Sequence, residues 1–362
     1  MIVNLISRIL VGLLFLFSGF VKSVDPMGGA IKFGEYFSAF SLDWLSGSEL
    51  FFSVLLSVAE MVLGIMLIFG IFKRLSSWAA MIFMLFFTIL TAILYFTNPV
   101  SDCGCFGDAL VISHGETFIK NIIILIILIP FFLSVQKLDW IEKGLKGYGI
   151  IIIAVLGSLF MPIYAICKLP LLDFLPYKIG INIFEAMKIP EGAVEDEYET
   201  TLIYKEIATG KNRQFAIDDT TWYDTSRWEY VDTKTELIKK GFQPKISSFN
   251  IFDSNQNDVT EQLFLEFNGS NELIAVIVIN DDKISSKTEE NIHNVIEKMG
   301  LKEIRTVIAT RFNREKIASQ LNIDSRMIYN GDETMLKSLI RAKVGVVIFD
   351  FGTIIEKQNL RN

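Results

Sequence analysis

Ser76–Thr97 reads SSWAAMIFMLFFTILTAILYFT, 22 residues without a formal charge. A helix rises about 1.5 Å per residue, so a run of this length crosses a hydrocarbon core of about 30 Å. In that medium the backbone must satisfy its own polar groups, and a helix does so within one segment. Working outward, four further stretches, about 4–21, 50–72, 117–135 and 147–167, are similarly long and apolar. The first stands where a signal peptide would, yet its apolar run continues to Val21 with no A-x-A-like site after it. It is therefore expected to be a membrane helix. The fold class expected is a membrane α-helical bundle of five transmembrane helices, followed by a soluble α/β domain.

Charge divides the chain at the same place. Of 34 Lys/Arg and 41 Asp/Glu, ten of each lie in residues 1–170, so the net charge of −7 belongs to residues 171–362. An acidic soluble half has no basic footprint for nucleic acid. Three cysteines are too few for a disulfide-built scaffold. The domains expected are 1–170 in the membrane, a connector with short β structure over 171–247, and a compact domain over 248–362.

Basic residues give the orientation. Lys73 and Arg74 mark the turn after the second span, and Lys137, Lys143 and Lys146 the turn after the fourth. The Asn98–Phe118 loop holds no Lys or Arg. By the positive-inside rule the N-terminus faces the cytoplasm, and that loop and everything after Lys168 face the periplasm of a bacterial inner membrane. Between the first two spans, Phe33, Tyr36, Phe37 and Phe40 fall at helical spacing. They describe either an interfacial helix or one packed over the bundle mouth.

Two features carry chemistry. Glu60 lies mid-span, where a carboxyl is costly unless it is paired, protonated or functional. It is either a partner for a proton or a quinone headgroup, or a structural carboxyl held by a neighbouring helix, with Arg8 as its candidate partner. The second feature is the loop Asp102-Cys103-Gly104-Cys105-Phe106-Gly107-Asp108. Its glycines allow both sulfurs to be presented together.

These residues resemble known families. Arg8-x3-Gly12…Phe17-Ser18-Gly19-x2-Lys22-x2-Asp25-Pro26 and Glu60-x3-Gly64-x2-Leu67-x2-Gly70-x3-Arg74 resemble the first two helices of DoxX-like membrane proteins. The Asp102–Gly107 string is similar to the loop motif of the MauE branch, associated with methylamine utilisation. The resemblance covers residues 1–135. It implies a part in forming or maintaining disulfides of exported proteins, or in quinone-coupled sulfur oxidation.

The three cysteines leave several readings open. In an oxidising compartment a disulfide between cysteines two apart is strained, hence a ready oxidant of client thiols. Cys167, at the end of the fifth span on the same face, is then a candidate resolving cysteine, and a quinone between the helices a candidate electron acceptor. Alternatively a structural disulfide pins the loop to Cys167. A metal site would draw on Cys103, Cys105, His114 and Asp102 or Asp108, but the spacing is unlike common zinc patterns and no c-type haem motif occurs. Neither metal nor haem is expected. His293 is expected on a surface helix.

In the soluble half, Thr200–Tyr204 and Arg213–Ile217 read as a hairpin around Thr209-Gly210. Trp222, Tyr223, Trp228 and Tyr230 either seat this region on the membrane interface or pack a small sheet. From 248 onward, a short strand Phe249–Phe252 precedes a strand Leu273–Ile279, a helix 286–299, a strand Ile304–Thr310, a helix to Leu321, an extended Met327–Tyr329, a helix 332–342, and a hairpin Val344–Phe349 with Thr353–Ile355. This βαβ unit followed by αββ resembles the thioredoxin fold. The redox Cys-x-x-Cys is missing, its place reading Asn280-Asp281-Asp282-Lys283-Ile284-Ser285, and Val344 stands where a cis-proline is expected. Such a domain cannot exchange disulfides itself. The function expected is extracytoplasmic thiol–disulfide or quinone-linked redox at Cys103 and Cys105 on periplasmic client proteins. The competing expectation is a non-catalytic membrane scaffold whose soluble domain binds envelope proteins.

Overall fold

The computed structural model describes residues 2–100, 102–138, 145–194, 197–239, 241–264, 273–280, 284–299, 303–309 and 312–360. Five of its helices are long and apolar enough to cross a membrane. They are α1 (Ile2–Val24), α3 (Glu49–Phe69), α4 (Lys73–Thr97), α5 (His114–Ser134) and α6 (Leu145–Cys167). The chain between α1 and α3 forms α2 (Pro26–Ala39). Crossings alternate, so the segments after Val24, Thr97 and Cys167 share one face of the bilayer. Lys143, used above for orientation, lies outside the described residues.

α1 and α3 pack with their backbones nearly touching. A Cβ on Gly19 would stand 2.7 Å from Ser57 O and Met61 N, and one on Gly64 would stand 2.7 Å from Leu16 N. Between membrane helices, where lipid competes for apolar contact, small residues at the crossing supply close packing. α5 adds Leu128 and Phe131 to Val11, Phe15 and Leu67 in a common core with Ala80 and Met84 of α4. α2 opens with Pro26 at its first turn and Asp25 as cap, the carboxylate accepting from Gly28 N at 2.9 Å. Its Phe37 is buried and packs edge-on against Phe52 of α3 at 5.7 Å. Of the two arrangements open for this helix, packing against the bundle is the one formed.

Residues 183–248 make a compact unit of their own. After the single turn α7 (Ile183–Met187), strands β1 (Glu197–Glu206), β2 (Asn212–Ala216) and β3 (Trp228–Lys239) form an antiparallel sheet in the order β2-β1-β3. Thr209 and Gly210 turn β1 into β2, Gly210 at φ +69°. Phe215 and Trp228 are both buried, rings 4.8 Å apart, and Tyr204 stacks on Trp222 at 5.4 Å, whereas Tyr223 and Tyr230 are exposed.

The other compact unit joins residues 1–182 to residues 249–362. Residues 171–182, expected in the connector, belong here. Gly180 N donates to Ile354 O at 2.6 Å, and Asn182 Nδ2 to Phe351 O at 2.8 Å. The sheet contains β4 (Ile251–Phe252), β5 (Ile274–Ile279), β6 (Glu303–Ala309), β7 (Ile328–Gly331), β8 (Val344–Asp350) and β9 (Thr353–Asn359), in the order β4-β7-β6-β5-β8-β9. β5, β6 and β7 are parallel, β8 runs antiparallel to β5, and β9 runs antiparallel to β8. The intervening helices are α8 (Thr260–Phe264), α9 (Ser286–Met299), α10 (Arg314–Leu321) and α11 (Glu333–Leu339). Every residue of β5 is buried, as a central strand covered on both faces requires. His293 is exposed on α9. Asp281, Asp282, Lys283 and Thr310 lie outside the described residues. Val344 pairs with Ile279 in the regular β5–β8 ladder.

One helix differs from expectation. α11 stops at Leu339 rather than 342, and Ile340 is extended at φ −143°, ψ 125°. The three residues released from the helix lead Arg341 away from the sheet toward the membrane bundle.

Candidate functional site

Cys103 and Cys105 are brought together, as their spacing allows. Gly104 between them takes φ +60°, a left-handed conformation that costs an L side chain and that glycine adopts freely. Asp102 closes this turn by accepting from Gly104 N at 2.8 Å, and Gly107 N donates to Gly104 O at 3.1 Å.

Each cysteine carbonyl has a donor from the bundle. Tyr36 Oη of α2 donates to Cys103 O at 2.8 Å. Ser18 Oγ and Lys22 Nζ of α1 donate to Cys105 O at 2.8 and 2.5 Å. The loop ends are held by charge: Lys32 Nζ lies 2.8 Å from Asp102 Oδ2, and Arg341 Nη2 lies 2.7 Å from Asp108 Oδ2. Burial keeps the Tyr36 phenol far above its usual range, so it remains a donor.

Cys103 is buried in a small apolar cluster with Leu94 and Val100. Its sulfur lies 3.2 Å from Thr117 Oγ1 and accepts from Cys105 N at 3.4 Å. The Cys105 thiol, hydrogen-bonded to it, contributes most to bringing Cys103 down to about 6; burial opposes the shift, while Thr117, the Cys105 amide and Lys120 add to it. The same thiol–thiol contact, with burial, pushes Cys105 well above the usual thiol range. One thiolate beside one thiol is the state primed for exchange, since the thiolate is the nucleophile.

Both cysteines line a cavity of 260 Å³. Its walls are aromatic, with Phe33 and Phe37 from α2 and Phe83 and Phe87 from α4, and its polar end holds Lys22 and Glu60. Lys120 also lines it, with Nζ 4.3 Å from the Phe106 ring centroid, a favourable cation–π distance.

Glu60 does not pair with Arg8. Lys22 Nζ sits 2.8 Å from Glu60 Oε2 and 3.0 Å from Oε1, both side chains buried. Arg8 donates instead to Ile68 O at 3.4 Å, near the far end of α3. Fourteen residues separate Arg8 from Lys22, about 21 Å along a helix, so the Arg8 side chain is remote from the cavity. Cys167 is likewise apart. It is exposed at the end of α6, outside the cavity lining, and no disulfide joins it to either loop cysteine. The loop thiols turn inward while the end of α6 turns outward. Among the described residues no cluster of three His, Cys, Asp or Glu side chains is placed to hold a metal. His114 Nε2 lies 2.8 Å from Val100 O.

The sequence gives no site role to Lys22, Asp25 or Arg341, and offers Asp108 only as a candidate metal ligand. Lys22 and Asp25 were visible as charges at the end of a span. Nothing local marks Arg341, 316 positions from its partner Asp25.

Residues 1–134, which contain α1 to α5 and the thiol loop, match the family of Methylamine utilisation protein MauE. Residues 198–240, which contain the β2-β1-β3 sheet, match a domain of unknown function, DUF8463. No curated protein and no solved structure matches the chain.

Proposed function

We propose that this membrane protein takes part in thiol–disulfide redox on the extracytoplasmic side of a bacterial inner membrane, with Cys103 and Cys105 as the reacting pair. The observation that carries this is the lowered Cys103 thiol, hydrogen-bonded to the Cys105 thiol, on the wall of an apolar cavity. Two thiols losing two electrons and two protons become one disulfide. A client thiolate attacks that bond, one sulfur of the pair leaves as thiolate, and a second client thiol closes the client disulfide and restores the dithiol. The resemblance of residues 1–134 to a MauE family supports a role in maturing exported redox proteins, and the basic turns support the orientation.

A quinone is the candidate ligand of this cavity, and when bound it would accept two electrons and two protons. The cavity's 260 Å³ lies just below the usual range of small-molecule pockets, about 300–1,000 Å³, and its aromatic walls also carry Asp25, Lys32, Asp108 and Lys120 besides Lys22 and Glu60. At the end that holds Lys22 and Glu60, Lys22 would donate to a ring oxygen in exchange for one of its present acceptors, Ser18 Oγ, Glu60 or Cys105 O, and Glu60 would exchange a proton. Phe83 and Phe87 would exclude water from the thiols.

The soluble domain resembles a thioredoxin fold without cysteines, since all three lie at or before position 167. That supports a second reading, a scaffold that recruits envelope proteins without exchanging electrons. Mass-tag alkylation of acid-trapped cells separates the two. Cycling predicts that Cys103 and Cys105 are found both oxidised and reduced, and that Cys103→Ser or Cys105→Ser lowers client disulfide content. Cysteines that stay reduced under every growth condition would leave the scaffold.

A further inference from the structure

Arg341 reaches from the loop before β8 into the mouth of the bundle. Its Nε donates to Asp25 Oδ2 at 2.9 Å, its Nη2 to Asp108 Oδ2 at 2.7 Å, and its Nη1 to Lys337 O at 3.0 Å. The side chain is 5% exposed. Its two carboxylate partners come from different places: Asp25 caps α2, and Asp108 ends the thiol loop, three residues past Cys105. Space around the cluster is closely used. A Cβ on Gly28 would stand 2.6 Å from Asp25 Oδ2, 2.9 Å from Asp108 Oδ2 and 3.1 Å from Arg341 Nη2.

We infer that Arg341 is a positioning residue of the thiol loop: through Asp25 and Asp108 it ties the loop to α2 and holds both cysteines toward the cavity. This rests on the redox reading of the same loop and adds how the soluble domain serves it. The argument is geometric. The carboxylates at the two ends of residues 102–108 are held by Lys32 on Asp102 and Arg341 on Asp108, and Lys22 donates to Cys105 O between them. Of these three cations, Arg341 is the one from outside the helical bundle. An arginine fork satisfies two carboxylates at once, which a lysine cannot do in the same plane. Without it Asp25 and Asp108 would face each other partly buried and unneutralised, and the chain after Cys105 would swing outward to solvate Asp108. Shortening of α11 at Leu339 is what gives Arg341 its reach.

The test compares reagents of different polarity on the full-length, reduced protein in detergent, in a Cys167→Ser background that removes the exposed thiol at the end of α6. N-ethylmaleimide is small and apolar and enters the cavity, whereas a sulfonated maleimide reaches only thiols turned to water. Arg341→Gln should raise the rate with the sulfonated reagent about tenfold and leave the apolar rate nearly unchanged. Arg341→Lys should restore part of the difference. Gly28→Ala, which keeps every charge but wedges the cluster apart, should act like Arg341→Gln and serves if that variant does not accumulate. Asp173→Asn removes the ion pair between β9 and the chain just after α6, Lys357 to Asp173 at 3.0 Å, and should leave the ratio of rates unchanged. An unchanged ratio in Arg341→Gln and Gly28→Ala overturns the positioning role. An equal change in Asp173→Asn overturns it as well, since general loosening would then suffice. The assay needs only reduced thiols, so its outcome is independent of whether the cysteines cycle in cells.

Discussion

Lys22 Nζ lies 2.8 Å from Glu60 Oε2, and the same ammonium reaches the carbonyl oxygen of Cys105 at 2.5 Å. One buried cation therefore links α1, α3 and the thiol loop. Removing one partner of a buried pair costs about 3–5 kcal/mol, while replacing both with apolar groups of similar volume is often near neutral. Lys22→Met and Glu60→Gln should each destabilise the detergent-solubilised protein by roughly that amount. The double variant Lys22→Met with Glu60→Leu should cost far less than the sum. Equilibrium unfolding by denaturant measures this, and strict additivity would show that the two charges do not depend on each other.

The Cys103 thiol is lowered from 9.0 to about 6. Its thiolate therefore supports the fold at pH values above the unfolded thiol range, and that support is lost as pH falls through about 6. The iodoacetamide rate at Cys103 should be flat from pH 7.5 to 9 and fall about tenfold per unit below 6. The groups facing the sulfur are Thr117 and Lys120 of α5, Tyr36 of α2, and Cys105. Cys105→Ala removes the largest cause and should move the profile upward. A profile centred near 9 in the unaltered protein would show that the thiol–thiol hydrogen bond is not formed in solution.

Tyr36 offers a milder perturbation of the same loop. Its hydroxyl donates to Cys103 O at 2.8 Å. Tyr36→Phe leaves that carbonyl unpaired in a partly buried place, at a cost of about 1–3 kcal/mol. Hydrogen exchange should report faster opening of residues 103–107, with the amides of α1 and α3 unchanged.

The contrast between what was and was not legible follows from range. Five spans can be read because each is one long, predominantly apolar segment, and the observed α4 differs from its expected start only by the turn from Lys73. The thiol loop is legible because its sulfurs and glycines are adjacent in sequence. A lysine near the end of a span usually snorkels to the interface, whereas Lys22 turns inward to Glu60. Arg8 is a candidate partner of Glu60 only if the two lie at similar depth, and the rise along α1 keeps them apart. Helical propensity continues through Arg341, so the sequence extends α11 to 342. The carboxylates that Arg341 meets, Asp25 and Asp108, lie 316 and 233 positions away, and no local pattern carries them.

Helix spacing supplies the last prediction. Lys22 meets Glu60 only while α1 and α3 stay in backbone contact, and Gly19 sits at that contact one turn from Lys22. A Cβ there would stand 2.7 Å from both Ser57 O and Met61 N, backbone atoms that cannot rotate aside. Gly19→Ala must push α1 away from α3, with an overpacking cost of about 1–3 kcal/mol. Gly149 and Gly157 on α6 have nothing within 4 Å of the same added atom. Gly149→Ala and Gly157→Ala should be neutral or slightly stabilising, because alanine is the better helix former by about 1 kcal/mol. Thermal unfolding in detergent ranks the three variants. The displacement has a second consequence: with Lys22 drawn off Cys105 O, Gly19→Ala should also speed alkylation of Cys105, which the two α6 variants should not. Equal melting temperatures for all three would mean that the α1–α3 contact is looser than the structure has it, and would remove the basis for a fixed Lys22–Glu60–Cys105 link.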